Sequence, residues 1–297
     1  RAPAPPVRTL VRMATALITG ASKGLGAEFA WQLAAARHDL VLVARSEDAL
    51  ETLAAQLRGA AGVQVEVLVA DLSEASALEK VATRVGDPER PVSLLVNNAG
   101  FSQVGAVVDL TREDLRRQYE TNVIAPVAVT RAALPLLRKA VAARGNATIA
   151  NVGSIVGTFT TPFAGAYCSS KAALHALSDA LRMALAPLGL HMVTIQPGGI
   201  RSAFGDHAEE GLTLPADSLY HPVEKGIRAR AQAGQQGATP AEEFVQKVAD
   251  GLLQESPPAI IRGGKNSLRL PLMKKLLPMA VFDNILAKNF GLDRWKP

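Results

Sequence analysis

Short runs of β-branched and aliphatic residues alternate with longer Ala- and Leu-rich segments of helical period along most of the sequence. This alternation indicates repeated strand–helix–strand units, which build a parallel sheet covered by helices on both faces. We predict seven strands, near 14–19, 39–44, 63–69, 92–96, 146–152, 190–195 and 258–262, and helices near 25–36, 47–58, 74–84, 112–138, 166–186 and 241–254. The predicted fold is a doubly wound parallel α/β domain with right-handed crossovers.

Three other segments depart from this alternation. Residues 1–12 begin without Met and contain three prolines, so we interpret them as a leader remnant or an artefact ahead of the native start at Met13. Residues 204–240 contain scattered Gly, Pro, His and Gln, which is typical of a lid or substrate loop inserted in an α/β fold. We therefore predict one domain over 13–262, with a C-terminal extension over 263–297.

Composition excludes several classes of protein. A single Cys excludes a disulfide scaffold and a cysteine-built zinc site, and no His, Asp or Glu cluster has metal-ligand spacing, so no metal is expected. No apolar run is long enough to span a bilayer. The net charge of +5 is concentrated in residues 1–12 and 258–297, which argues against a nucleic-acid partner. We expect a soluble cytoplasmic protein with at most peripheral membrane contact.

The first strand ends in a glycine-rich turn, TGASKGLG at residues 19–26, that runs directly into a helix. Glycines allow the backbone to approach a pyrophosphate, whose negative charge is favoured at a helix N-terminus. A tight strand-to-helix turn without a ligand is the alternative. The residues expected to contact a dinucleotide here are Gly20, Ser22, Lys23, Gly24, Leu25 and Gly26.

The ends of the next strands carry further candidate cofactor contacts. Arg45 follows the second strand, where an NAD enzyme would offer an acid to the ribose, so Arg45 and Lys23 favour NADP over NAD. Two ordinary surface cations are the alternative. Asp71 and Leu72 close the third strand and could contact adenine, unless Ser73 simply caps the next helix. After the fourth strand, an adenosine pocket or a plain turn is formed by Asn98, Ala99 and Gly100.

A Tyr and a Lys four residues apart share one helical face in the segment YCSSK, at Tyr167 and Lys171. This spacing lets a phenol act as acid or base beside an ammonium group. At about 5 Å and an effective dielectric constant of about 20, the attraction is about 3 kcal/mol, which would lower the pKa of Tyr167 toward about 8. Asn122 and Ser154 precede this pair in the chain. Each residue alone is more often structural, and their order and spacing carry the interpretation.

Together these motifs resemble the short-chain dehydrogenase/reductase family from Met13 to about Ile261. The resemblance rests on TGASKGLG, NNAG, Asn122, Ser154 and YCSSK, with a Pro-Gly pair after the sixth strand. It implies a Rossmann fold that binds NADPH or NADP. The same resemblance implies nicotinamide contacts at Pro197, Gly198, Ile200 and Ser202.

The resemblance also implies four catalytic roles. Tyr167 would be the general acid, and Ser154 would orient and polarise the carbonyl group. Lys171 would hold the nicotinamide ribose and tune Tyr167, while Asn122 would support a proton-relay water. The implied activity is NADPH-dependent reduction of a ketone to a secondary alcohol, by a homodimer or homotetramer. A 3-oxoacyl or hydroxysteroid-type reductase and a catalytically idle NADP-binding scaffold or sensor are the alternatives.

The C-terminal extension is basic and amphipathic, with apolar residues at helical spacing between Val281 and Phe290. The segment 220–292, with PAEEF at 240–244, SPPA at 256–259 and the motif over 277–292, resembles fungal NADPH-dependent 1-acyldihydroxyacetone-phosphate reductases and bacterial relatives, which implies a lipid-like ketone substrate. If the protein also recognises the phosphate, we expect Arg201 or Arg228 to bind it. The helix could lie on a membrane, roof an acyl-chain pocket or pack on the domain's own flank. We assign no catalytic role to Cys168 or His175, which we interpret as a buried filler and a packing residue.

Overall fold

The computed structural model of the protein describes residues 13–85 and 91–295, so the predicted leader remnant at residues 1–12 lies outside the described residues. Seven parallel strands form one sheet in the order β3-β2-β1-β4-β5-β6-β7. They are β1 (Met13–Thr19), β2 (His38–Ala44), β3 (Val65–Val69), β4 (Val92–Asn97), β5 (Ala147–Val152), β6 (Leu190–Pro197) and β7 (Ile260–Gly263). The predicted doubly wound sheet is confirmed, with strand ends shifted by one or two residues from the sequence pattern.

Helices cover both faces of the sheet. They are α1 (Gly24–Ala35), α2 (Glu47–Ala61), α3 (Ala75–Val85), α4 (Arg112–Tyr119), α5 (Ala125–Arg144), α6 (Gly165–Leu185), α7 (Phe204–Glu210), α8 (Glu224–Gln232), α9 (Ala241–Leu252), α10 (Arg269–Leu276) and α11 (Met279–Asn289). Because side chains alternate along a strand, Ile18 of β1 packs with α1, α2 and α9, whereas Leu17 packs with α3, α5 and α6 on the opposite face.

The single helix predicted over 112–138 is interrupted in the structure. A π-helical turn, Glu120–Ile124, separates α4 from α5, and the two helices otherwise follow each other without a loop. Pro126 has no backbone N–H, so it cannot donate to the carbonyl of Asn122 four residues earlier, and this favours the wider turn. The turn presents Asn122 to the carboxyl ends of the strands.

The lid segment 204–240 is more ordered than its Gly and Pro content predicts. It contains α7, α8 and a 3₁₀ turn, His221–Val223. The prediction of an irregular loop was wrong over these stretches because their apolar residues find partners: Ala208, Ile227 and Ala231 join one buried cluster. The lid therefore packs in a buried cluster that it shares with Val104, Phe163 and Phe290.

The C-terminal extension packs on the domain's own flank. Phe282 of α11 is buried edge-to-face against Phe159, with ring centroids 5.8 Å apart, and Leu286 joins the same cluster. Further on, Trp295 stacks on Tyr220 of the lid at 5.3 Å. Phe282 and Leu286 of α11 are therefore covered by the protein itself, whereas Met279 and Val281 of the same helix are exposed. Among the described residues, no helix is both long and apolar enough to cross a bilayer.

Candidate active site

The glycine-rich turn after β1 is tightly fastened to the turn after β4. The Asn98 side-chain amide donates to the carbonyls of Thr19 and Gly20, at 3.0 and 3.1 Å, while the Thr19 hydroxyl accepts from the backbone N–H groups of Asn98 and Ala99. Gly20 has a φ of +65°, and a Cβ on Gly26 would lie 2.1 Å from the Gly20 carbonyl oxygen. No other residue fits at Gly26, so the turn holds a fixed, close-packed shape.

Two cations stand at the outer end of this turn. Lys23 is exposed and its Nζ contacts His207 Nε2 of α7. The side chain of Arg45 is 79% exposed and lies 3.8 Å from the Asp71 carboxylate. Although partial burial raises the pKa of Asp71, hydrogen bonds from the Ser73 backbone and hydroxyl, together with Arg45, hold that pKa below its usual range. Arg45 therefore remains available to bind an anion, because its exposed ion pair with Asp71 is weak.

The remaining candidate cofactor residues lie at the same edge of the sheet. Ser202 Cβ is 3.9 Å from the position a Cβ on Gly24 would take, so the segment after β6 faces the glycine-rich turn. Gly198 donates to the Gly263 carbonyl, and Ile200 is buried. Every sequence-predicted cofactor residue thus lies at the carboxyl end of β1, β2, β3, β4 or β6 or at the start of α6, including Ser22, Leu25, Leu72, Gly100 and Pro197.

Asn122 is fully buried and ties three segments together. Its amide donates to the Phe101 carbonyl at 3.0 Å and to Ser170 Oγ of α6 at 3.1 Å, and its Oδ1 accepts from the Phe101 N–H. Gln118, one turn earlier, also donates to the Phe101 carbonyl and accepts from the Gln103 N–H. The two amides hold the loop after β4 in place, and Asn122 also ties it to α6.

Lys171 is buried with its ammonium at the end of β5. Its Nζ donates to the Val152 carbonyl at 2.7 Å, and the residue is only 4% exposed. Burial lowers the pKa of Lys171 to about 8. The ammonium lies 5.9 Å from the centroid of the Tyr167 ring. The predicted Tyr–Lys pair therefore shares one side of α6, with donors of the ammonium left for a ligand.

The phenol of Tyr167 does not have the lowered pKa that the Tyr–Lys spacing predicts. Burial raises the pKa of Tyr167 to about 12, and a hydrogen bond with the Ser154 side chain only partly opposes this. The expectation of a value near 8 was wrong for the protein by itself because removing the phenolate from water is the largest effect, and Lys171 is not among the groups that lower the pKa of Tyr167. Tyr167 is accordingly protonated at neutral pH.

His175 holds Ser154 in place through the backbone. The Ser154 N–H donates to His175 Nε2 at 3.4 Å, and Ser154 Oγ accepts from the Val156 N–H at 3.3 Å. The imidazole fills the space that side chains at Gly153 and Gly157 would need, since a Cβ there would lie 2.2 and 2.5 Å from its ring atoms. Burial lowers the pKa of His175 to about 4, so the ring is neutral and carries its proton on Nδ1.

Comparison with known proteins gives this geometry a family. A model of the short chain dehydrogenases matches residues 14–212, which include the glycine-rich turn, Asn122, Ser154, Tyr167 and Lys171. The chain belongs to the short-chain dehydrogenase family. The Bacillus subtilis protein named "uncharacterized oxidoreductase YusZ" is 32% identical over 284 residues, which cover 92% of this chain and 97% of that protein.

Two solved dehydrogenase structures are similar over almost the whole chain. The Sphingobium yanoikuyae short-chain dehydrogenase, solved in complex with NADPH, is 29% identical with a TM-score of 0.68, over 96% of this chain and 97% of that one. The bulky-bulky ketone specific alcohol dehydrogenase of Comamonas testosteroni is 26% identical with a TM-score of 0.65, over 97% and 96%. The likeness extends beyond the family match to the lid and the C-terminal extension.

Some residues of this short-chain dehydrogenase site are not evident from sequence. The contact of His175 with Ser154 depends on Gly153 and Gly157, which lie on another segment. The position of His175, one turn after Lys171 on the same helical face, does indicate that it lies near the site. Arg228, one of the two expected phosphate partners, is instead exposed and paired with Glu224, and the other, Arg201, is exposed. Arg230, two residues after Arg228 on α8, is buried.

The depressed pKa of His175 predicts a loss of stability in acid. Below pH 6.5 the unfolded chain takes up a proton at this position, whereas the folded chain does not until about pH 4. The contribution of His175 to the free energy of unfolding is therefore fully present above pH 6.5 and decreases as the pH falls from 6.5 to about 4. Urea unfolding at pH 4.5 should show about 2 to 3 kcal/mol less stability than at pH 7.5 from this group. His175→Gln should remove that part of the loss.

The control is His221→Gln, at an exposed position of the lid. It should retain the full pH dependence of the wild type. Equal acid losses in wild type and His175→Gln would contradict a neutral, buried His175.

Proposed function

We propose that this short-chain dehydrogenase is an NADPH-dependent carbonyl reductase that interconverts a ketone and a secondary alcohol. The observation that carries the proposal is that Asn122 and Lys171 meet beside Gly100, in the turn fastened to the glycine-rich turn, with Tyr167 and Ser154 next to Lys171. A phenol with a high pKa, a hydroxyl hydrogen-bonded to it and a buried ammonium form a set suited to protonating a carbonyl oxygen.

The residues present fit a phosphorylated dinucleotide. The close-packed turn at Gly20 and Gly26 offers backbone N–H groups at the start of α1, and the cations Lys23 and Arg45 stand at its outer end, where a 2′-phosphate would lie. NADPH, when bound, supplies the hydride. Binding of NADPH by the Sphingobium yanoikuyae relative supports the same cofactor here.

Each polar group of the site has a distinct role in the proposed reaction. Tyr167 donates its phenolic proton to the carbonyl oxygen, since its high pKa keeps it protonated until that oxygen becomes basic. Ser154 Oγ donates a hydrogen bond to the same oxygen. Lys171 donates to the nicotinamide ribose with the ammonium N–H groups that are not bound to the Val152 carbonyl. The backbone carbonyl of Asn122 receives no hydrogen bond from Pro126, which lacks an N–H, and it holds a relay water.

The finer proposal is that the ketone carries an apolar chain, with 1-acyldihydroxyacetone phosphate as the leading candidate by resemblance of the extension. A patch of exposed apolar side chains supports it. Val108 is 79% exposed and Leu219 of the lid is 69% exposed, and a hydrogen bond from Ser218 to Asp109 at 2.6 Å joins the two segments. Such a patch, formed by the lid and the segment between β4 and α4, suits an acyl chain more than a small polar ketone.

We also expect the protein to work in the cytoplasm, as a homodimer or homotetramer.

An NADPH-consumption assay on a panel of ketones separates the reductase from the idle scaffold. 3-Oxoacyl and hydroxysteroid ketones in that panel test the other enzyme assignments.

Replacing the proton donor should abolish turnover. Tyr167→Phe should lower kcat by about 10²- to 10⁴-fold at every pH while NADPH affinity, measured by fluorescence titration, changes by no more than a few fold. The matched control is Tyr119→Phe on α4, which should keep wild-type activity. A fully active Tyr167→Phe would contradict the assignment.

Reversing the charge at Arg45 should change the cofactor preference. Arg45→Asp places a negative charge beside Asp71 where the 2′-phosphate would bind, so NADPH affinity should fall at least tenfold and NADH should be used as well or better. Arg131→Asp, at an exposed position of α5, is the control and should leave the preference unchanged. A wild type that uses both cofactors equally at equal concentration would refute NADP selectivity.

Catalytic efficiency should rise with acyl-chain length. Each methylene buried is worth about 0.8 kcal/mol, so kcat/KM should increase about fourfold per methylene until the pocket is filled. Leu219→Ser should flatten this rise, whereas Leu276→Ser, equally exposed at 69% on α10, should not. A flat profile in the wild type would indicate a small carbonyl substrate.

A further inference from the structure

Arg230 of α8 is a buried cation without a charged partner. The residue is 9% exposed, and its Nε donates to the hydroxyl of Thr161 at 2.6 Å. No acidic side chain in residues 13–85 and 91–295 forms an ion pair with it, and the other guanidinium N–H groups find no hydrogen-bond partner within those ranges. A guanidinium held in this way favours an anionic ligand, which would supply both the opposite charge and the missing acceptors.

The guanidinium lies against the segment that leads into Tyr167. Thr161, its hydrogen-bond partner, belongs to the segment that joins Ser154 to Tyr167, and its hydroxyl is 3.9 Å from Cys168 Sγ. Burial sets the pKa of Tyr167 high, and the positive charge of Arg230 is among the groups that lower it. Arg230 is therefore close enough to the phenol to act on it electrostatically.

The lid encloses the same space from the other direction. The Phe204 ring is 5.7 Å from the Tyr167 ring, and the next residue, Gly205, packs so closely on α8 that a Cβ there would lie 3.0 Å from the Ala231 carbonyl oxygen. Phe204 and Arg230 are thus held by adjoining parts of α7 and α8. A substrate whose carbonyl reaches Tyr167 would have these two side chains as neighbours.

We propose that Arg230 binds an anionic group, a carboxylate or a phosphate, carried by the carbonyl substrate. This inference rests on the proposed reductase function. A guanidinium presents a planar fork of donors that matches either anion, and here Thr161 already orients the fork through Nε. Arg228, two residues earlier on α8, is 44% exposed and bound to Glu224, so it provides a matched cation outside the site.

The experiment compares each anionic ketone with its neutral counterpart. Keto carboxylates of increasing chain length are assayed beside their methyl esters, and dihydroxyacetone phosphate beside dihydroxyacetone, so the two pairs separate carboxylate from phosphate recognition. The readout is the ratio of kcat/KM for the anionic over the neutral member. In the wild type this ratio should be at least about tenfold for one of the two anions.

Arg230→Gln should lower that ratio by about ten- to a hundredfold. Arg230→Lys should restore part of it because it returns the charge without the fork, and Arg228→Gln should keep the wild-type ratio. If wild type reduces neutral ketones but prefers neither anion, or if Arg228→Gln loses the ratio as well, the inference is wrong while the reductase function stands. If no ketone is reduced, the proposed function itself has failed.

A second measurement uses the wild type alone, so it does not depend on the folding of a variant. Inhibition of the reduction of a neutral ketone is measured with an alkanoate and with the primary amide of the same chain length. The alkanoate, or an alkyl phosphate in its place, should inhibit competitively and at least about tenfold more tightly than the amide. Equal inhibition by the anions and the amide would overturn the inference.

Discussion

The polar stripe of α6 is buried against the carboxyl end of the central strands, and each of its polar groups must find a partner there. Lys171 donates to the Val152 carbonyl of β5, Ser170 accepts from Asn122, and Ser178 accepts from Asn151 of β5. These bonds set the rotation of α6 on the sheet. Because Tyr167 and His175 lie on the same helix, that rotation also decides where the phenol and the support of Ser154 are placed.

The same burial determines the protonation states of the site. It raises the pKa of Tyr167 to about 12, lowers that of Lys171 to about 8 and lowers that of His175 to about 4. The three shifts share their largest cause, the loss of water around a charge, yet their effects differ. The phenol stays protonated, the ammonium becomes easier to deprotonate, and the imidazole stays neutral. A protonated phenol is the state that carbonyl reduction requires, because the substrate oxygen gains a proton.

Much of this fold could be predicted from the sequence because its signals are local. The alternation of strand and helix patterns gives all seven strands, and the glycine-rich turn and the Tyr–Lys spacing locate both halves of the site. The contacts that sequence did not reveal join distant segments. His175 meets Gly153 and Gly157, Arg230 meets Thr161, and Phe282 meets Phe159. The π turn before Pro126 interrupts a helix whose periodicity is otherwise continuous, and the lid helices form because apolar residues of separate segments bury one another.

The ionisation of Tyr167 shows most directly whether burial controls the protonation of this site. The protein has three tyrosines, so the phenolic carbon resonances of protein labelled with ¹³C at that carbon can be assigned with Tyr167→Phe and followed by NMR as the pH is raised. We expect the Tyr167 resonance to show no titration below pH 10 in the protein without cofactor, because burial raises its pKa to about 12. A Tyr167 resonance that titrates near pH 8 under those conditions would contradict this expectation.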